Sequence, residues 1–228
     1  MSRVVVIVEG QTEVEFVSSV LVPELSRREV YLFPRLIGKP GHKGGIRPYQ
    51  SAKADILACL KCEREAFCTT MFDFYGMPEN WPGRPEAKGK PAMSIPPIVE
   101  AAMRNDIALA LGDSYDPRRF IPYIQMYEFE ALLFSDIEKL GYCYPGQAEA
   151  IGRLAEVAAK FPTPEMINDD PETAPSKRIV KEIARYQKIV AGSMTALEIT
   201  LAKLREKCKH FDSWVSQLEN LGLPAPRG

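Results

Sequence analysis

The chain has 228 residues, of which 46% are hydrophobic and 26% charged, and its formal net charge at pH 7 is −1. These values are typical of a soluble globular protein. The length allows one substantial core or a core domain with an appendage, and we favour the second. The near-zero net charge argues against a protein that binds nucleic acid over its whole surface. No apolar run is long enough to cross a bilayer, and the first residues predict a strand rather than a signal peptide. We therefore expect a cytoplasmic protein without membrane contact.

The five cysteines and two histidines exclude two further classes of site. An odd number of cysteines without a secretory signal argues against a disulfide framework. Cys59 and Cys62 have the spacing of half a zinc site, but no second Cys or His pair follows, and His42 and His210 lie far apart in the sequence. We expect neither a zinc site nor a Ser-His-Asp triad.

The first element is a strand that runs directly into an acid. Residues 4–8 read VVVIV, and five aliphatic residues in a row predict a strand that is buried on both faces, as in a parallel sheet covered by helices. Glu9 follows at the end of the strand, and Gly10 allows a sharp turn. Thr12 with Glu15 three residues later predicts a capping box at the start of a helix.

The helical spacing continues to about residue 27, and Pro23 should kink or split the helix. A second strand is predicted over residues 30–37. It completes a βαβ unit, and the right-handed crossover rule makes its two strands parallel.

Residues 38–47 form a glycine-rich basic loop, GKPGHKGGIR. Exposed backbone amides next to cationic side chains suit an anion, so Lys43, Gly44 and Gly45 are candidate ligands for a phosphate group or nucleic acid. The spacing is not that of a Walker loop, so it gives no indication of ATP binding. A solvated loop without a ligand explains the same residues.

A helix is predicted over residues 48–66 and a strand over 68–72, which ends on Asp73. The proline-rich connection over residues 75–97 has the length of a functional loop and predicts a lid or substrate-binding loop. If the two acid-ended strands are neighbours, Glu9 and Asp73 meet at the carboxyl edge of the sheet, where open α/β sheets bind their ligands.

Two carboxylates at close range repel each other, so that either one keeps a proton or a cation lies between them. Oxygen ligands suit Mg²⁺ or Mn²⁺, which leave positions open for phosphate oxygens. A further strand, predicted over residues 118–126 with an edge or bulge at its proline, ends near Glu128, and Glu130 follows. The sequence thus predicts that Glu9 and Asp73, with Glu128 or Glu130, hold one Mg²⁺ or Mn²⁺ ion or two.

The pattern divides the chain into an α/β core over residues 1–140 and a helical C-terminal region over residues 141–228. Helices are predicted over residues 147–161, 176–204 and 211–221.

Lys177 and Arg178 follow Pro175, a residue that suits the first turn of a helix. Exposed cations there oppose the helix dipole at about 0.3–1 kcal/mol each, whereas a bound phosphate would make them favourable. They are candidate phosphate-binding residues, and a solvated helix face is the alternative.

Residues 8–13, VEGQTE, followed by an Asp at the end of a later strand, resemble the Toprim domain of topoisomerases, bacterial primases and overcoming-lysogenization-defect nucleases. More closely, the chain resembles the Toprim-like family called domain of unknown function 4276. That closer resemblance rests on four more stretches in order: KGG at 43–45, DFYG at 73–76, YIQMYEFEAL at 123–132 and ETAPSKR at 172–178.

The resemblance implies a Toprim-like, mostly parallel sheet with helices on both faces. Two positions depart from the pattern: Tyr75 stands where Toprim domains usually carry a second Asp, and Tyr127 where a His is expected. The first departure removes one ligand of a two-metal site.

By this resemblance the chain is a divalent-metal-dependent nuclease subunit that acts on nucleic acid, with DNA favoured over RNA. Since it carries no ATPase motif, the resemblance implies a separate ATPase partner in a phage-defence setting. Glu9 and Asp73 would be catalytic as metal-binding residues, with Glu9 able to act as acid or base. Lys177 and Arg178 would offset charge on the phosphate.

Two other functions fit the sequence. One is a binding or regulatory subunit of the same fold that has lost catalysis, to which Tyr75 and the low net charge point. The other is a phosphatase of small phosphorylated molecules, in which Asp73 would be a nucleophile.

Overall fold

The computed structural model describes residues 1–38, 45, 48–167 and 172–223. Its centre is a sheet whose strands, in chain order, are β1 (Ser2–Val8), β2 (Val30–Leu36), β3 (Phe67–Asp73), β4 (Phe120–Ile121) and β5 (Ile124–Gln125). They lie in the order β2-β1-β3-β4, with β5 also paired to β3, and these pairings are parallel. The predicted α/β class with a mostly parallel sheet is confirmed.

The α-helices are α1 (Gln11–Phe16), α2 (Val22–Ser26), α3 (Tyr49–Cys62), α4 (Arg84–Ala87), α5 (Ile95–Leu111), α6 (Ala148–Ala158), α7 (Pro175–Glu182), α8 (Ser193–Ile199), α9 (Leu201–Lys207) and α10 (Lys209–Asn220). Turns of π-helix cover Val17–Leu21 and Lys188–Gly192, and 3₁₀ turns cover Ala92–Ser94, Pro117–Arg119, Phe129–Ser135, Ile137–Tyr142 and Pro164–Met166. None of the described helices combines the length and apolarity of a membrane span.

Strand β1 is buried on both faces, as its aliphatic run predicts. Successive side chains of a strand point to opposite faces, so Val4, Val6 and Val8 belong to one apolar cluster and Val5 and Ile7 to another. Helices α3 and α5 cover the face of Val5 and Ile7, whereas α1 and the C-terminal helices cover the other face. The predicted helices on both faces are confirmed.

The edge strands accommodate the prolines of the sheet. Pro34 lies in β2, which pairs only with β1 in the described sheet. On the other side of β3 the chain pairs as β4, is interrupted at Pro122 and Tyr123, and pairs again as β5. A proline at an edge or interruption removes no hydrogen bond from the centre of a sheet, and the interruption at Pro122 agrees with the sequence.

The long connection after β3 is anchored in the core. Trp81 is fully buried, and its ring makes edge-to-face contacts with Phe72 at 5.7 Å and Tyr49 at 5.3 Å between centroids. The short helix α4 follows it. The connection is therefore anchored in the core at Trp81, and its role as a lid or substrate-binding loop stays a prediction.

The C-terminal helices share a core with the sheet. Trp214 of α10 stacks on Tyr123 with the ring centroids 4.3 Å apart, and its indole N–H donates to the Thr69 hydroxyl of β3 at 2.8 Å. The N-terminus of α10 is capped from a distance, because the Glu165 carboxylate accepts the backbone N–H groups of His210 and Phe211 at 3.1 and 2.9 Å.

Two local predictions about the first helices have different outcomes. Helix α1 starts at Gln11 with Gly10 as its N-cap and no side-chain cap, so the predicted capping box of Thr12 and Glu15 is wrong; Thr12 is buried instead. The interruption at Pro23 is confirmed. The π-helical turn Val17–Leu21 precedes it, because a proline cannot donate the hydrogen bond that an α-helix would need there.

The single helix predicted over residues 176–204 is wrong. Helix α7 ends at Glu182, a turn of π-helix begins at Lys188, and Thr200, with φ of 71°, separates α8 from α9. The break after α7 contains neither proline nor glycine, so no local signal marks it. Tertiary packing produces it, since Ile183 and the hydroxyl of Tyr186 are buried.

Because Trp214 joins α10 to the sheet, Trp214→Ala should lower the free energy of unfolding by about 3–5 kcal/mol, as expected for removal of a buried tryptophan. Urea unfolding followed by circular dichroism measures it. Leu109, which is 84% exposed on α5, gives the control: Leu109→Ala should stay within about 0.5 kcal/mol of the wild type. Equal effects of the two substitutions would contradict a core that spans both regions.

Candidate active site

Glu9 and Asp73 lie side by side at the carboxyl edge of the sheet. Their strands are direct neighbours, with Val8 opposite Met71 in the register. The backbone N–H of Asp73 donates to the Glu9 carboxylate at 2.7 Å. The end of β3 thus fixes the Glu9 side chain, and the structure brings together the two acids on which the sequence analysis centres.

Two more carboxylates complete this group. Glu13, in the first turn of α1, is buried, and its Oε2 lies where a side chain at Gly10 would begin, 2.8 Å from the position of a Cβ. Glu130, in the 3₁₀ turn after β5, is fully buried. Both carry charges that raise the pKa of Asp73. We call Glu9, Glu13, Asp73 and Glu130 the acid cluster.

Sequence reasoning missed Glu13 as a member of the acid cluster. A signal for it exists, because Glu13 closes the VEGQTE segment and lies on the first turn of the helix after Glu9. A helix that starts directly after a strand turns its first residues back over the strand end, so an acid in that turn can join the acid that ends the strand.

A lysine from the C-terminal region enters the acid cluster. The Nζ atom of Lys188, at the start of the second π-helical turn, lies 3.0 Å from Glu130 Oε2. Its charge lowers the pKa of Glu9, of Asp73 and of Glu130. Nothing in the sequence pattern indicates this residue, since a continuous helix is predicted where the chain breaks and delivers it.

Burial dominates the electrostatics of the acid cluster. Burial raises the pKa of Glu9 to about 8. The hydrogen bond from the Asp73 N–H lowers this pKa, and the negative charge of Glu13 raises it further. Burial also raises the pKa of Asp73 well above its usual range, and that of Glu130, although Lys188 opposes both shifts. Burial alone would lower the pKa of Lys188, but the charges of Glu130, Asp73 and Glu13 raise it. The acids thus compete for protons around a lysine that stays charged.

The donor atoms of the acid cluster suit a divalent ion. Within the described residues, the buried oxygens Asp73 Oδ1 and Glu130 Oε1 accept no hydrogen bond, and unpaired carboxylate oxygens are the ligands that Mg²⁺ and Mn²⁺ prefer. Among all the residues that the structure describes, however, no group of three or more His, Cys, Asp or Glu side chains has the arrangement of a metal site. The chemistry of the donors fits, while their side chains are arranged around Lys188.

Glu128, predicted as a metal ligand, has a different partner in the structure. Its Oε2 accepts the backbone N–H of Ser176 at 2.9 Å, at the start of α7. Its charge raises the pKa of Glu130, so it lies near the acid cluster and influences it. The anion at the N-terminus of α7 is therefore a carboxylate of the protein itself, and its interaction with the helix dipole stabilises the helix.

Lys177 and Arg178, the predicted phosphate-binding pair, have different surroundings in the structure. Lys177 is exposed, whereas Arg178 is half-buried, donates from Nε to the Thr173 carbonyl at 2.5 Å and lies over the ring of Phe161. Arg178 therefore holds the segment before α7 in place, and Lys177 is the member of the pair that faces solvent.

Of the glycine-rich loop, Lys43 and Gly44 lie outside the described residues. Gly45 adopts φ of 74°, and its N–H donates to the carbonyl oxygen of Glu9 at 2.8 Å. Gly45 thus lies at the carboxyl edge of β1. Tyr75, at the position of the missing acid, donates its backbone N–H to the carbonyl of Tyr127 at 2.8 Å.

Comparison with known proteins adds one finding. The chain matches the family described as "Domain of unknown function (DUF4276)" over residues 8–219. The chain belongs to this family. The match runs from the last residue of β1 to α10, so every member of the acid cluster and Lys188 fall within the DUF4276 region. Searches of curated proteins and of solved structures returned no match.

The raised pKa of Glu9 makes the stability of this DUF4276 protein depend on pH. The folded protein keeps a proton on Glu9 up to about pH 8, whereas the ordinary pKa is 4.5. Stability therefore falls as pH rises between these values. Glu9→Gln removes this contribution, so its melting temperature should gain on that of the wild type from pH 5 to pH 8, with Asp73 and Glu130 leaving a residual slope.

Thermal unfolding followed by circular dichroism in EDTA measures this gain. Glu198, exposed on α8, provides the matched control, and Glu198→Gln should track the wild type at each pH. A constant difference between Glu9→Gln and wild type across the range would contradict the raised pKa.

Proposed function

We propose that the acid cluster binds Mg²⁺ or Mn²⁺ and that the protein is a metal-dependent phosphoryl-transfer enzyme. Its most suitable role is that of a Toprim-type nuclease subunit that acts on nucleic acid, with DNA favoured over RNA as the substrate. The observation that carries this proposal is a pair of buried carboxylate oxygens, Asp73 Oδ1 and Glu130 Oε1, which accept no hydrogen bond from the described residues and lie beside Glu9 at the carboxyl edge of a parallel sheet. Desolvated carboxylates of like charge are costly unless a cation or protons offset them.

Glu9, Asp73 and Glu130, with Glu13 beside them, are the residues that would hold the ion. Bound there, a divalent ion would polarise a phosphate and supply an activated water. In the metal-free protein, burial raises the pKa of Glu9 to about 8, so binding of an ion at Glu9 would release the proton that this carboxyl carries at neutral pH. Its Oε1 is fixed by the Asp73 N–H, which orients the carboxyl toward the edge of the sheet.

Exposed cations lie in the segment between Ser176, which Glu128 contacts, and Lys188, and this segment, which we call the basic surface, supports a polyanionic substrate. Lys177, Lys181 and Arg185 are exposed on α7 and the segment after it, which leads to Lys188. The one acid between residues 176 and 188, Glu182, accepts an ion pair from Arg153 at 2.7 Å. A local excess of cations suits a phosphodiester backbone, although the whole chain has almost no net charge.

The alternative is a binding or regulatory subunit without catalysis. Two observations favour it: Tyr75 replaces an acid, and a charged lysine is already paired within the acid cluster. In either case, the resemblance to overcoming-lysogenization-defect nucleases supports a cytoplasmic role in phage defence with a separate ATPase.

The first test is metal binding. Calorimetry should show Mg²⁺ or Mn²⁺ binding by the wild type and its loss in Glu9→Gln and Asp73→Asn, because each substitution removes a charged ligand. The same samples should cleave plasmid or single-stranded DNA only with metal. Asp113→Asn, exposed after α5, should bind and cleave as the wild type does.

Two other results would argue against the nuclease. Metal binding without cleavage of DNA or RNA, also in the presence of a candidate ATPase, would favour the inactive subunit. A wild type that binds neither ion would overturn the proposal.

The basic surface can be tested separately through salt dependence. Lys177→Gln combined with Lys181→Gln should weaken binding of single-stranded DNA and reduce the slope of log affinity against log salt by roughly 0.7 for each phosphate that is no longer neutralised. Fluorescence anisotropy in EDTA measures binding without cleavage. Lys61 is exposed at the end of α3, and Lys61→Gln should leave the slope unchanged. If all the proteins gave equal slopes, nucleic acid would bind at a site other than the basic surface.

A further inference from the structure

Lys188 and Glu130 form an ion pair whose two ends differ in their freedom. The Glu130 side chain has no exposed surface, whereas that of Lys188 is 43% exposed. The carboxylate is fixed in the core by its 3₁₀ turn, while the lysine reaches in from the surface on four flexible carbons. The exposed part of the lysine side chain gives its ammonium group a route to water, whereas the Glu130 carboxylate lies wholly within the core.

One ammonium group satisfies the acid cluster only in part. It supplies a single positive charge to four carboxylates, and within the described residues Asp73 Oδ1 and Glu130 Oε1 remain without hydrogen bonds. Lysine is a point donor of three hydrogen bonds, whereas a divalent ion carries twice the charge and takes six or more oxygen ligands at once. The lysine therefore occupies the position that a divalent ion would fill more completely.

The chain around Lys188 does not lock the pair in place. The residue begins a π-helical turn and follows the break after α7. Its neighbours Ile189 and Val190 are 47% and 55% exposed, so the core anchors of this turn are the later residues Ala191 and Gly192. The packing of this turn therefore depends on Ala191 and Gly192 rather than on Lys188.

We propose that Lys188 is a built-in cation that stabilises the acid cluster in the metal-free protein and that Mg²⁺ or Mn²⁺ must displace it from Glu130 in order to bind. This inference rests on the proposed metal site and adds to it a competition within the chain. The protein then binds its metal more weakly than the acid cluster alone would, because only the molecules with Lys188 released are competent.

The test compares Lys188→Met with wild type and with Lys61→Met, which changes an exposed lysine at the end of α3 and serves as the control. Without metal, Lys188→Met should have a lower melting temperature, since it leaves Glu130 without its partner, and Mn²⁺ should then raise that temperature more than in wild type. If about one molecule in ten has Lys188 released, calorimetry should give Lys188→Met about tenfold tighter Mn²⁺ binding. Lys61→Met should match wild type in both measurements.

A second measurement uses the wild type alone and does not depend on how a variant folds. Reductive methylation with formaldehyde, quantified by mass spectrometry, reports the accessibility of each lysine. Saturating Mn²⁺ should increase methylation of Lys188 and leave that of Lys181 unchanged. Unchanged methylation of Lys188 in the metal-bound protein would overturn the inference.

The remaining outcomes separate this inference from the proposed function. Equal or weaker Mn²⁺ binding by Lys188→Met, with binding by wild type intact, would overturn the competition and leave the metal site standing. No Mn²⁺ binding by either protein would overturn both.

Discussion

Repulsion among Glu9, Glu13, Asp73 and Glu130 is the constraint on which the rest of this structure depends. Burial makes each ionised carboxyl costly, and proximity makes each one more costly for its neighbours. Three features reduce this repulsion: a proton on Glu9, the backbone N–H of Asp73 that donates to Glu9, and the ammonium group of Lys188 beside Glu130. A cost maintained at a sheet edge that commonly binds ligands is a feature of functional sites.

The order of the strands creates this meeting. With β1 between β2 and β3, and all three parallel, the acids that end β1 and β3 emerge at adjacent positions. The turn through Gly10 then folds α1 back, so that Glu13 joins them. Helices on both faces remove the strands from water, which makes the edge of the sheet the place where the polar ends of these strands can act.

The sequence predicts the parts of this arrangement that local patterns encode. The VVVIV run predicts a doubly buried strand, and an acid after each of two such strands predicts the meeting of Glu9 and Asp73. Lys188 could not be predicted, because the break after α7 lacks proline and glycine and arises from packing of Ile183 and Tyr186. Glu128 shows the reverse case: its position after a strand suggests a ligand, but its partner is a helix start 48 residues later, which only the tertiary structure supplies.

The two long-range caps have a consequence for cooperativity. Helix α7 is capped by Glu128 and α10 by Glu165, both from 3₁₀ turns or their borders earlier in the chain. Within the described residues, neither helix has a side-chain hydrogen bond from its N-cap residue, so the first N–H groups of each helix depend on an acceptor from an earlier turn. The stability of α7 is therefore linked to the position of Glu128, and that of α10 to the position of Glu165. Local unfolding of α7 would free Glu128 to change its partners within reach of the acid cluster, so that the stability of a surface helix and the charge of the site become properties of one cooperative unit.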